Sequence, residues 1–179
     1  MMKKKRTKRS VRNDVAQTAA MPEPKRGRPQ FAKGYAIRQD GKGLIAWKDV
    51  IASLEKSKNY WVGSTRPDGR PHAMPVWGVW LNGALCFGTD RASRKARNWQ
   101  ANPAATVHLE SGDDVVIIEG TVRDIDPKEM PAIDAIYLKK YKMKMSNAPG
   151  DPWFIAIVPR VVLAWHERNF VESPTRWVL

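Results

Sequence analysis

The 179-residue chain has a single cysteine, Cys86, and only three histidines. One thiol excludes an intrachain disulfide and a cysteine-based metal cage, and its place in an apolar run marks it as core filler. His72, His108 and His166 are far apart in sequence and form no metal-ligand pattern. No apolar stretch is long enough to span a bilayer and none follows the basic N-terminus, so the protein is expected to be cytoplasmic, with neither membrane span nor secretory leader. Several catalytic signatures are missing as well. There is no Gly-x-Ser-x-Gly nucleophile elbow and no Gly-Lys-Ser/Thr phosphate loop, and Gly41-x-Gly43 lacks the third glycine and the preceding strand of a dinucleotide fingerprint. Asp113 and Asp114 adjoin in a turn, where aspartates ordinarily sit.

Acidic residues are scarce, 18 against 31 Lys and Arg, for a formal charge of +13. The imbalance is concentrated at the start. Residues 1–40 hold twelve of the basic residues but only Asp14, Glu23 and Asp40, a net +9 that leaves +4 for residues 41–179. Basicity therefore describes the tail more than the folded part. With few large apolar residues and no helical or alternating pattern, residues 1–40 are expected to form a disordered basic tail and 41–179 the folded domain. Inside the tail, Pro24-Lys25-Arg26-Gly27-Arg28-Pro29 resembles the AT-hook, whose Arg-Gly-Arg-Pro core lies in the narrow minor groove of A/T-rich DNA. Nucleic-acid binding through this arm is one reading. An arm that packs on the domain or meets anions non-specifically is the other.

In the domain the apolar period changes along the chain. Ile45, Trp47, Val50, Ile51 and Leu54 suit a short amphipathic helix, after which the period becomes two. Residues 60–65 and 72–80 read as strands joined by Arg66-Pro67-Asp68-Gly69-Arg70-Pro71, and Asn82-Gly83 is a two-residue turn leading into a strand over 84–89. Further strands are expected over 104–110, 115–125 with a bulge at Gly120, 154–165 interrupted at Pro159, and 175–179. Pro127 opens a helix that runs to about Tyr141, and Lys142 to Asp151 reads as an exposed basic loop. Six to seven antiparallel strands with a few short helices predict a mainly β protein, a barrel.

The stretch Phe87 to Pro103 carries the chemistry. A strand end, a turn and a short helix stopping before Pro103 gather Thr89, Ser93, Arg94 and Lys95 where the helix begins. Free N–H groups and the positive end of the helix dipole make that start a seat for an anion, most simply a phosphate. The alternative is that Ser93 only caps a helix whose Arg94, Lys95 and Arg97 form a solvated face.

In order along the chain, Arg70-Pro71-His72-Ala73-Met74-Pro75-Val76-Trp77, Phe87-Gly88-Thr89, Ser93-Arg94-Lys95-Ala96-Arg97-Asn98 and Asn102-Pro103 resemble the pyridoxamine 5'-phosphate oxidase-like split-barrel flavoproteins, a superfamily of flavin and deazaflavin oxidoreductases. The likeness covers about Trp47 to Leu179. It implies an antiparallel split β-barrel, a homodimer with cofactors at the interface, and a cofactor phosphate held by Thr89, Ser93, Arg94 and Lys95. It further implies a flavin ring along Pro75, Val76, Trp77 and Gly78, where plain strand alternation is the competing account of Val76 and Trp77. Hydride would pass between the ring and a small-molecule substrate; no side chain need act as acid or base, the catalytic side chain is unassigned, and His72 is the one candidate proton donor, a structural role in the strand after Pro71 being its more common alternative. The Ser-Arg-Lys triplet favours FMN, whereas a basic channel along Arg91, Arg97 and residues 139–144 would suit coenzyme F420. Trp153, Trp165 and Trp177 are candidates for contacts across the dimer, core packing being the stronger reading for at least two of them. The C-terminal segment departs from that of the true pyridoxamine phosphate oxidases, which argues against vitamin B6 oxidation, with Arg176 as a conceivable anchor. The alternative class is a non-catalytic flavin-binding or DNA-associated protein on the same barrel.

Overall fold

Period-two alternation in β2 (Asn59–Thr65) buries Tyr60, Val62 and Ser64 and leaves Trp61 and Thr65 outside, the pattern of a sheet with one face on a core. The computed structural model describes residues 23–179. Preceding β2 are β1 (Lys25–Gly27) and α1 (Trp47–Lys56); following it are β3 (Pro71–Trp77), β4 (Val79–Leu81) and β5 (Ala84–Asp90). The chain continues through α2 (Arg94–Ala101), β6 (Ala104–His108), β7 (Asp114–Asp124), α3 (Met130–Tyr141), β8 (Pro152–His166) and β9 (Thr175–Val178).

All pairings are antiparallel, in the order β1-β9-β8-β7-β6-β2-β3, with β5 on the first half of β8 and β4 on β5. This is a split barrel and not a closed one. One apolar cluster fills it, including Tyr60, Phe87, Trp99, Ile118, Ile157 and Trp177; a second, with Val79, Cys86, Ile133 and Tyr137, lies under α3.

Four local details follow from residue chemistry. Asn82 and Gly83 both have positive φ, 51° and 76°, as the two-residue turn between β4 and β5 requires. The strand expected over 72–80 is in fact two, because the chain changes partners at Gly78: β3 pairs with β2 and β4 with β5. A Cβ at Gly78 would stand 2.9 Å from Leu85 Cδ1 and 3.0 Å from the Cys86 carbonyl oxygen, so only glycine allows this close crossing. Pro159 does not interrupt β8. It pairs with Gly120 beside a register shift that leaves Arg160 of β8 without a partner on β7, a bulge that lies between the β5-paired residues ending at Ile157 and the β9-paired ones starting at Val161 and at which proline is tolerated.

The tail is the larger departure. The disorder expected for residues 1–22 lies outside the described residues. Residues 23–40, however, are laid on the domain, with Lys25, Arg26 and Gly27 paired to Val178, Trp177 and Arg176. Arg28 donates to the carbonyls of Asp40, Lys42, Glu172 and Pro174, and Arg38 pairs with Asp40 and Glu172. The AT-hook-like segment is thus a structural staple whose second arginine is engaged. Carbonyl acceptors brought together from distant loops decide this, and no local pattern announces them.

Candidate functional site

Ser93 caps α2, its Oγ accepting from the Ala96 N–H at 3.3 Å and standing 3.0 Å from Thr89 Oγ1. Asn98, buried on the same helix, donates to Ser64 Oγ at 2.9 Å and ties α2 to β2. This fixes the first turn of α2, where Arg94 is exposed and Lys95 half-buried. Neither makes an ion pair among the described residues, and the turn holds no acidic residue. Two uncompensated cations at the positive end of a helix dipole repel the helix and each other. Burial moves the Lys95 ammonium below its ordinary pKa, with Asp90 opposing. Thr89, Ser93, Arg94 and Lys95 therefore come together as a seat whose electrostatics improve when an anion enters it.

β3 is an edge strand, ending the sheet order opposite β1. In an antiparallel ladder alternate residues turn both backbone groups toward the partner. Pro71 and Pro75 have no N–H, and the Arg66 N–H donates to the Arg70 carbonyl, so His72, Met74 and Val76 supply the bonds to β2. Ala73, Pro75 and Trp77 turn their backbone groups outward. Of the four residues expected along a ring, Val76 is committed to the ladder with Tyr60, while Pro75 and Trp77 present free groups. Gly78 is engaged elsewhere: its N–H donates to Tyr141 Oη at 3.0 Å, and its carbonyl accepts from Lys140 Nζ at 3.1 Å.

His72 joins the two halves. Burial, then the charges of Arg66, Lys95 and Arg94, hold its imidazole below the ordinary range, and its Nδ1 is buried without a hydrogen-bond partner. A neutral imidazole is a poor proton donor at pH 7, which removes the main support for His72 as the acid. Beside it a groove of about 740 Å³ crosses β2, β3 and β6, lined by Ser64, His72, Ala73 and Thr106 among others.

The link of Lys140 and Tyr141 to Gly78 is not legible in the sequence, because 62 residues or more separate them. Burial pushes the Lys140 ammonium down to about 8, Glu55 opposing. An unfolded lysine titrates near 10.4, so between about pH 8 and 10 the folded chain binds fewer protons than the unfolded chain. Stability therefore rises with pH across that window, and Lys95 acts in the same direction. Above it the buried tyrosines Tyr60 and Tyr141, whose pKa values burial raises, reverse the trend. Thermal unfolding from pH 7 to 10 is expected to show a rising midpoint that flattens in Lys140→Met. An equal rise in that variant would assign the effect elsewhere.

Other residues singled out in the sequence separate. Trp153 and Trp177 are core residues, and Trp165 packs edge-on to Phe31 and Phe170. Arg176 lies on β9, separated from β3 by four intervening strands in the sheet order. Arg91 stands over Trp153 beside Asp151, and Arg97 is tied to the Ala92 carbonyl. No helix of the described residues is long and apolar enough to cross a membrane.

The sequence model of a family described as pyridoxamine 5'-phosphate oxidase matches residues 46–166. No curated protein matches. Among solved structures, a conserved hypothetical protein from Mycobacterium tuberculosis is similar with a TM-score of 0.63 at 19% identity, over 73% of this chain and 91% of that one. An F420 reductase gives 0.50 at 26% identity, over 62% and 93%. The heme storage protein HutZ from Vibrio cholerae gives 0.54 at 13% identity, over 63% and 89%, a likeness of fold alone.

Proposed function

The chain belongs to the pyridoxamine 5'-phosphate oxidase family, and on that premise we propose that it is a homodimeric oxidoreductase that binds FMN and exchanges hydride with a small substrate. The observation that carries the proposal is the uncompensated seat at the start of α2. Two unpaired cations, two hydroxyls 3.0 Å apart and free helix N–H groups fit a phosphate. Thr89, Ser93, Arg94 and Lys95 would hold it. Free backbone groups of Pro75 and Trp77 would meet the polar edge of the ring, with Val76 and Gly78 holding the strand that carries them.

When bound, the flavin supplies the redox chemistry. The chain's part is binding, orientation and exclusion of water. Met74 and Trp77 are 44% and 51% exposed on the unpaired edge strand, and Trp61 is 36% exposed beside it. Apolar side chains on an open strand edge are what a second copy would cover, which supports the dimer. Coenzyme F420 is the second reading, favoured by the likeness to an F420 reductase. A DNA-associated role through the AT-hook-like segment has less support, since Arg28 is bonded to four carbonyls of its own chain.

Absorbance titration of the purified apo-protein with FMN and, separately, with F420 tests the proposal. A saturable shift of the FMN chromophore is expected. Tight F420 binding with weak FMN binding would transfer the proposal to the deazaflavin, and binding of neither would remove it.

A further inference from the structure

Gly78 belongs to neither ladder. β3 is paired to β2 as far as Trp77 opposite Asn59, and pairing with β5 begins at Val79. By the alternation of β3, the next bonds would join Gly78 directly to Lys58. Instead the Tyr141 hydroxyl stands between them. It accepts from the Gly78 N–H at 3.0 Å, and its one proton has two acceptors in reach, the Lys58 carbonyl at 2.6 Å and the Gly78 carbonyl at 2.8 Å, the shorter contact bridging the two strands. The Gly78 carbonyl takes Lys140 Nζ, which also donates to Tyr60 Oη at 2.8 Å, and Tyr60 in turn donates to the Leu54 carbonyl. The Tyr141 ring stacks on Trp77, with centroids 4.9 Å apart and planes 8° apart.

We infer that Tyr141 and Lys140 are positioning residues: from the end of α3 they wedge β3 away from β2 at Gly78 and so fix where the free edge of Pro75 and Trp77 is presented. The wedge replaces one direct ladder step by a bridging hydroxyl, as an inserted water would, and it is held on both sides. A direct Gly78 to Lys58 bond would leave the Trp77 backbone facing outward but draw the strand end inward, and with it the position at which the Pro75 and Trp77 edge is presented. Neither residue touches the anion seat, which α2 and Asn98 hold independently. The inference rests on the reading that this edge receives the flavin ring.

Tyr141→Phe keeps the stacked ring and removes only the bridging oxygen, and Lys140→Met is its companion. Two readouts are needed: hydrogen exchange at the Trp77 and Gly78 amides of the apo-protein, and FMN affinity together with the position of the bound flavin's absorbance band. Losing the bridging hydroxyl, and with it the hydrogen bond it accepts and the one it donates, is expected to speed exchange at Gly78 and to weaken FMN binding about threefold to tenfold, with a shifted band. Arg94→Ala should weaken binding without altering exchange at Gly78. Unchanged exchange in both α3 variants would overturn the wedge. Faster exchange with native affinity and band position would reduce the pair to a helix anchor and overturn the positioning role. Failure of the unmodified chain to bind either cofactor, seen before any variant is made, would remove the flavin reading and the inference with it.

Discussion

Replacing Arg94 and Lys95 together by alanine is expected to raise the dissociation constant for FMN by about a hundredfold to ten-thousandfold. A charge-assisted contact to phosphate contributes about 1.5–3 kcal/mol, and the seat supplies two. The geometry favours the upper half of that range for Lys95. It is half-buried without an ion pair among the described residues, and desolvation, only partly opposed by Asp90, has already lowered its pKa, so an arriving anion relieves a cost that the apo-protein carries. Arg94 is exposed, and solvent screening makes its share smaller. The fold should survive, because neither side chain is paired and the core contact of α2 runs through Ala96, Asn98 and Trp99. Titration of the double variant with a parallel thermal melt is the measurement. A native dissociation constant with a native melt would sink the placement of the phosphate seat.

Trp177→Ala is expected to be the most damaging single substitution for stability, costing about 3–5 kcal/mol. Trp177 is fully buried, packs against Trp47 with ring centroids 5.4 Å apart, and sits on β9, which links β1 to β8. Removing its indole opens a cavity where the short β9 joins β1 to β8. Against a total stability of about 5–15 kcal/mol this is a large fraction. At about 2–4 °C per kcal/mol for a chain of this size, the melting midpoint should fall by roughly 6–20 °C. A drop of only a degree or two would mean that the C-terminal strand contributes little to the cooperative fold.

Some of the site was readable one residue at a time. Ser93 as a cap, Asn102 as a stop before Pro103 and Asn82-Gly83 as a turn are local events, set by hydrogen bonds and φ preferences within four residues. The clustering of Thr89, Ser93, Arg94 and Lys95 follows from them. The strand proposed to meet a flavin ring was suggested only by family likeness, and its edge position is a finding of the fold. Which backbone groups of Pro75 to Gly78 are free depends on β2, on α3 and on the two prolines of β3.

What the amino-acid order determined by itself was the inventory: period-two runs for most strands, short helices with the Ser93 cap of α2, a concentration of cations after β5, and a basic N-terminus. These depend on interactions between near neighbours, which a linear reading can follow. Tertiary structure alone decided the rest. It turned Arg26-Gly27-Arg28 into a strand and staple, divided one expected strand at Gly78, carried β8 past Pro159, and brought Tyr141 between Gly78 and Lys58. Each of these satisfies backbone N–H or C=O groups with partners dozens of residues away. Such groups must be paired wherever the fold buries them, and only the closed chain determines which partner is within reach.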